Sequence, residues 1–165
     1  MNMKKKFALL TIIVVLCITF AFIFAGCNGN LGEKVGEVTI SIECKTILNN
    51  MDKVDKGILD NNLIPKDGII LEETKVTAYS KDNVYTLLQR VCRDKKIHLD
   101  CALEPVFKTY YIKGINYIYE MSVGESSGWM YFVDGVQPDQ GISLYNLKGG
   151  EKIKVAYTCV MGDLK

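Results

Sequence analysis

Residues 124–141, GESSGWMYFVDGVQPDQG, constrain this chain more than any other stretch. Trp129-Met130-Tyr131-Phe132-Val133 is an unbroken apolar run, and Asp134-Gly135 follows at once. Asp-Gly suits a two-residue type I′ turn, whose central positions both need φ > 0. Residues 129–133 therefore read as a strand, Asp134-Gly135 as its turn, and Val136 onward as the returning strand. Side chains alternate along a strand, so Trp129 and Tyr131 share one face and Met130 and Phe132 the other. Both faces are apolar, and each needs either a cover or a partner. The competing readings are an aromatic binding surface and a second small core, closed by residues 46–62 or by Tyr110-Tyr111.

Two further strands frame the chain after residue 36. In 37–44, Val38, Ile40, Ile42 and Cys44 face one way and Thr39, Ser41 and Glu43 the other. In 152–159, Ile153, Val155, Tyr157 and Cys159 oppose Lys152, Lys154 and Thr158. Each is a half-buried strand with a solvated back. Between them Ser80-Lys81-Asp82-Asn83 offers three possible helix caps, and Val84, Leu87, Leu88, Val91 and Cys92 form one apolar stripe. The spacing predicts a helix over 83–95. Pro65-Lys66-Asp67-Gly68 reads as a turn. Residues 69–71 and 76–79 suggest a second strand, interrupted at Glu72-Glu73. Residues 46–62 suggest a short irregular helix carrying Ile47, Leu48, Met51, Val54 and Leu59. Residues 97–105 read as a connection, 106–112 and 117–123 as strands separated at Lys113-Gly114, and 145–151 as a turn.

The N-terminus reads as a targeting segment. Lys4-Lys5-Lys6 precedes FALLTIIVVLCITFAFIFAGC, a basic region and an apolar run ending in small residues before Cys27. Ala25-Gly26-Cys27 resembles the end of a bacterial lipobox, which implies cleavage before Cys27 and lipid attachment to it. Phe24 stands where that pattern usually has Leu. The alternative is an uncleaved membrane helix over 7–25. Either way the lysines stay cytoplasmic and the rest lies on the extracytoplasmic face of the membrane. The expected organisation is a signal peptide or anchor over 1–26, a flexible tether over 27–36 and one folded domain over 37–165. Without the three lysines the chain carries 17 basic and 19 acidic residues, a balance that excludes a nucleic-acid partner.

Four cysteines follow Cys27: Cys44, Cys92, Cys101 and Cys159. If the first and last strands are parallel neighbours, Cys44 and Cys159 meet at their ends and a disulfide is expected there. Cys92 belongs to the helix stripe. A lone histidine, His98, and the lack of Cys-x-x-Cys spacing give no metal site, and Asp134, Asp139 and Glu125 lack EF-hand spacing. Ser126 and Ser127 sit in no nucleophile-elbow pattern. No catalytic residue, metal or cofactor is therefore expected.

Strand, strand, helix and several further strands, with matching ends, resembles a β-grasp: an α+β fold with a mixed sheet packed on one main helix. A closer resemblance rests on Ser127-Gly128-Trp129-Met130-Tyr131, Asp134-Gly135, Pro138, Gly141, Tyr145, Leu147, Gly150 and Tyr157-Thr158-Cys159. These residues resemble the transcobalamin-like C-terminal domain of bacterial surface lipoproteins, as does the opening Ile40-Ser41-Ile42-Glu43-Cys44. Gly149 and Glu151 stand where Asp is more usual. The resemblance implies an aromatic ligand surface at Trp129, Tyr131, Asp134, Gly141 and Tyr145, and a corrinoid-like small molecule as one ligand class. The relatives that cap cobalamin do so against a large helical domain, which this sequence does not read as containing. The expected function is a lipid-anchored binding module for a small ligand or surface polymer. The alternative is an envelope module that binds another protein.

Overall fold

In the computed structural model, residues 31–160 and 162–164 are described. The predicted signal segment, Cys27 and the start of the tether lie outside them. Residues from Gly32 onward form one compact unit.

The described chain is α+β, mostly strand, in two sheets. Strands β1 (Lys34–Glu43), β2 (Ile69–Tyr79), β6 (Gly128–Val133) and β7 (Lys152–Thr158) form one sheet in the order β2-β1-β7-β6. β1 and β7 are parallel neighbours, with Ile40 opposite Ile153 and Ile42 opposite Val155. β2 and β6 join antiparallel on either side. β2 is continuous through Glu72-Glu73. The expected interruption is absent because irregular register with β1 absorbs it. Strands β3 (Leu99–Glu104), β4 (Thr109–Ile115) and β5 (Ile118–Tyr119) form a second sheet.

Helix α2 (Val84–Lys95) lies where the stripe placed it. The Asn83 side chain accepts from the Thr86 N–H at 2.9 Å, and the Thr86 hydroxyl accepts from the Asn83 N–H at 3.0 Å, a reciprocal cap. All five stripe residues are buried. They pack with Val38, Ile40 and Ile42 of β1, Ile153 and Val155 of β7, and Ile112 and Ile115 of β4 in one core. Each such side chain contributes about 1.5–3 kcal/mol before entropy is subtracted.

The helix is latched to the end of β2. Asp82, only 2% exposed, accepts from the Tyr79 N–H at 3.0 Å and pairs with Arg90, whose guanidinium also reaches the Thr77 carbonyl. Removing one member of such a pair leaves a desolvated charge behind. Asp82→Ala should therefore cost about 3–5 kcal/mol in urea unfolding, and a loss under 1 kcal/mol would show that the pair adds little.

Residues 45–63 close a second core. They form two 3₁₀ turns (Lys45–Asn49, Met51–Lys53) and the short helix α1 (Lys56–Asp60). Ile47, Val54 and Ile58 are buried with Ile118, Val123, Tyr157, Cys44 and Cys159. Leu48, Met51 and Leu59, read as part of the same short irregular helix, are exposed. A 3₁₀ repeat turns a different set of residues inward from the α repeat that the spacing suggested.

Three readings of the later strands are corrected. Residues 99–104 pair as β3 rather than running as a connection: they are only half-buried, so pairing rather than an apolar face defines the strand. The expected strand 106–112 is shifted three residues along as β4, and 117–123 shrinks to the two-residue β5. The break expected at Lys113-Gly114 falls inside β4, where a Cβ on Gly114 would sit 2.8 Å from the Tyr119 ring. The return strand after Asp134-Gly135 is a single bridge between Val133 and Val136. The turn itself is as expected, with φ of 51° and 80°, but Pro138 has no N–H for a ladder and the chain leaves the sheet. The long partner of β6 is β7.

Cys44, Cys92, Cys101 and Cys159 are free thiols, so the Cys44–Cys159 disulfide is not formed in this structure. The strands that carry these two residues do end side by side. Cys159 Sγ lies 3.6 Å from the Thr46 hydroxyl and donates to it. Burial pushes the Cys44, Cys92 and Cys101 thiols up to about 12 from 9.0. A raised folded-state value means that the folded form holds the proton more tightly. Stability is then complete below pH 9 and is lost as pH rises toward 12. Between pH 9 and 11 we expect a loss on the order of 1–2 kcal/mol per thiol. Circular dichroism melts across that range check it; a flat melting temperature would contradict it.

Candidate functional site

The two sheets approach where β4 faces the β6 edge, and residues 137–144 cross between them. This loop is fixed from several sides. The first helical N–H groups of α2 donate to it: Tyr85 to the Ile142 carbonyl at 3.1 Å and Val84 to that of Tyr145 at 3.0 Å. Ser143 Oγ accepts from the Tyr110 N–H at 3.1 Å and shares a hydrogen bond with Thr109 Oγ1 at 2.9 Å. The Tyr131 hydroxyl donates to the Gln140 carbonyl at 2.6 Å.

The result is a concave surface in two connected parts. The larger, about 580 Å³, lies between Glu104, Phe107, Tyr111, Asp139 and Leu144. The smaller, about 320 Å³, is walled by Trp129, Tyr131, Pro138, Ile112 and Tyr110. Thr109, Tyr111, Gln140 and Gly141 line both. Gly141 permits this geometry, because a Cβ there would lie 2.1 Å from Thr109 Oγ1 and 2.3 Å from its methyl. Loop and β4 therefore touch backbone to side chain.

Trp129 is held rather than free. Its Nε1–H donates to the Ile118 carbonyl at 2.8 Å, and its ring meets the Tyr157 ring edge-on at 5.1 Å. It packs against both cores and shows the rest of its surface to the smaller groove. Tyr157 is fully buried, and its hydroxyl donates to the Tyr119 carbonyl at 2.7 Å and pairs with Ser127 Oγ at 2.8 Å. Burial, chiefly, pushes the Tyr157 phenol up to about 12. Tyr131 is also raised to about 12, by burial, then by the nearby Tyr145 and the charge of Asp139.

Of the five residues expected at a ligand surface, Trp129, Tyr131 and Gly141 meet at the groove. Asp134 does not: its N–H donates to the Lys152 carbonyl and its carboxylate accepts from the Lys152 N–H at 2.9 Å, so it ties the turn to β7. Tyr145 lines neither part and packs against the main core. The aromatic strand is covered in part and open in part. Residues 45–63 and Tyr110, which stacks on Tyr85 at 4.2 Å, close over the inner face, and the groove is what they leave. The spacing missed Glu104, Phe107, Thr109, Tyr111 and Asp139, because β3, β4 and the loop converge from separate parts of the chain. Tyr110-Tyr111 was the one visible signal.

Other chemistry is thinly supplied. Among the described residues no group of three or more His, Cys, Asp or Glu is placed to hold a metal ion. Ser127 is engaged with Tyr157 and the Gly124 carbonyl. His98 stacks on Tyr117 at 4.2 Å. Among the described residues no helix is long and apolar enough to cross a membrane.

Residues 82–159 match DUF4430, a domain of unknown function. No curated protein matches the sequence. Among solved structures, haptocorrin in complex with Cbi is similar over 74% of this chain, with 14% identity and a TM-score of 0.54. This chain spans 25% of the haptocorrin chain, and that likeness is one of fold. A Ruminococcus gnavus structure described as a "putative metal binding protein" is similar over 74% of this chain and 96% of its own, at 9% identity and a TM-score of 0.44. Residues 82–159 are thus similar to a DUF4430 domain, and the described residues share the fold of haptocorrin, a transcobalamin-like fold.

Proposed function

We propose that this protein is an extracytoplasmic binding module, lipid-anchored through Cys27, that takes a small organic ligand in the groove between β4, β6 and residues 137–144. One observation carries the reading: a preformed concavity of about 580 and 320 Å³, walled by aromatics and floored by a fixed loop. Small-molecule sites are typically about 300–1,000 Å³, mostly apolar, with a few placed polar groups. Haptocorrin's complex with Cbi supports trying corrinoids first. A groove open on one side covers part of so large a ligand, which favours smaller compounds or a bound fragment. The proposal includes no catalytic step.

The second reading, a protein partner in the envelope, is favoured by one feature. Val106 and Phe107, 78% and 73% exposed, stand at the tip of the β3–β4 turn.

Trp129 is the sole tryptophan and lines the groove, so its fluorescence reports occupancy. A saturable shift with a corrinoid or other small compound supports the first reading. No shift with any compound, together with capture of one envelope protein that Phe107→Ser abolishes, overturns it. Cys27→Ser should remove lipid labelling, and retained labelling contradicts the anchor.

A further inference from the structure

We propose that the ligand of this groove is an organic cation: an amine or quaternary ammonium carried on a flat apolar body. This rests on the small-ligand reading above and adds the chemistry of the ligand. The charged side chains lining the two parts of the groove are Glu104 and Asp139, both carboxylates. They stand in the larger part with the exposed rings of Phe107 and Tyr111.

The local structure holds the acids in place for a ligand. Glu104 ends β3 and lines the groove, and its Oε1 accepts from the Val106 N–H at 3.1 Å, which restrains the carboxylate there. Asp139 lies in the loop pinned by Tyr131 and Ser143, and its charge is felt by the Tyr131 phenol. Lys108, the basic residue of the β3–β4 turn, is exposed and lines neither part.

Carboxylates beside open aromatic faces suit a cation. The rings present negative π faces, and the acids add a field that salt screens only in part inside a groove. An anion is repelled by the same groups. A bare divalent metal is poorly served, since hard cations take about six to eight oxygens and two carboxylates flanked by rings do not supply them. An organic cation matches both the volume and the lining.

The test uses the full chain in a non-ionic maltoside detergent, which carries no ammonium of its own. Calorimetry with benzyltrimethylammonium, benzyl alcohol and phenylacetate compares a cation, a neutral compound and an anion on one ring. The cation should bind about tenfold tighter than the alcohol, weaken with salt, and exceed the anion further still. Glu104→Gln with Asp139→Asn should erase that preference, so that on the double variant the cation binds no tighter than the alcohol. Both sites are at the surface, and near-isosteric amides keep the fold. Equal binding of cation and alcohol overturns this inference and leaves the groove reading standing. Cation preference that survives the double variant overturns the placement. No binding by these three probes or by corrinoids overturns both readings.

Discussion

Replacing Tyr157 with alanine is expected to cost about 3–5 kcal/mol, enough to unfold much of the population of a domain this size. Tyr157 is among the largest fully buried side chains in the protein. It sits on β7 with Trp129 opposite it on β6, and its ring joins the second core. Its removal leaves a cavity, frees the edge of the Trp129 ring, and takes one hydrogen bond each from the Tyr119 carbonyl, which keeps the Ser122 N–H, and from the Ser127 hydroxyl, which keeps Gly124 and Val123. Tyr157→Phe separates the terms. It keeps the volume and loses only the hydroxyl, so about 1–2 kcal/mol is expected. Urea unfolding followed by Trp129 fluorescence measures both. If the two variants lose the same amount, the hydroxyl and not the packing is what matters there.

The second large effect is on binding rather than stability. Gly141→Val should reduce affinity for any groove ligand by at least about tenfold, because a displaced loop no longer presents the preformed wall. The new Cβ would lie 2.1–2.5 Å from three atoms of Thr109. Thr109 cannot yield easily: it is buried and bonded to Ser143. The loop must lift from β4, and both parts of the groove change shape because Gly141 and Thr109 line both. Pairing Gly141→Ala with Thr109→Gly removes the collision from the other side. Binding should recover relative to Gly141→Ala alone, as expected for two residues in direct contact. Calorimetry on the two single variants and the pair decides it; a pair that behaves additively contradicts the contact.

The frame of this fold was readable because its elements carry local periodicity. Val38, Ile40 and Ile42 alternate, Ile153, Val155 and Tyr157 alternate, and Val84 to Cys92 repeat at helical spacing. Those patterns mark the two end strands and the helix; the parallel pairing of the strands is seen in the structure. Asp134-Gly135 gave the turn, since a type I′ geometry is written in two residues. What followed the turn was harder. A hairpin return and a departing loop begin alike, and Pro138 ruled out the first only through the ladder hydrogen bond it cannot make. β3 was invisible because Leu99–Glu104 has no clean apolar face; it exists by pairing with β4. In 45–63 the apolar residues were evident, but 3₁₀ turns buried Ile47, Val54 and Ile58 while Leu48, Met51 and Leu59 stayed outside.

The groove was only half legible for a related reason. Trp129 and Tyr131 drew notice as aromatics on one strand, and Gly141 as a loop glycine. Glu104, Phe107, Tyr111 and Asp139 come from two other segments, and no spacing along the chain connects them. Asp134, expected at the ligand surface, lies outside both parts of the groove and bonds to Lys152. Tyr145 was placed at the surface, whereas its carbonyl caps α2 and its ring joins the core.

The account stands on the space between β4, β6 and residues 137–144 being a working ligand site. The most direct measurement is a ¹H–¹⁵N correlation spectrum of the detergent-solubilised chain, titrated with benzyltrimethylammonium and with a corrinoid. A saturable ligand should shift the amides of Tyr111, Gln140 and Gly141 and the Trp129 indole, and leave Thr39, Ser41 and Arg93 still. Shifts gathered instead on the exposed back of β1, or none near Gly141 at saturating ligand, would contradict it.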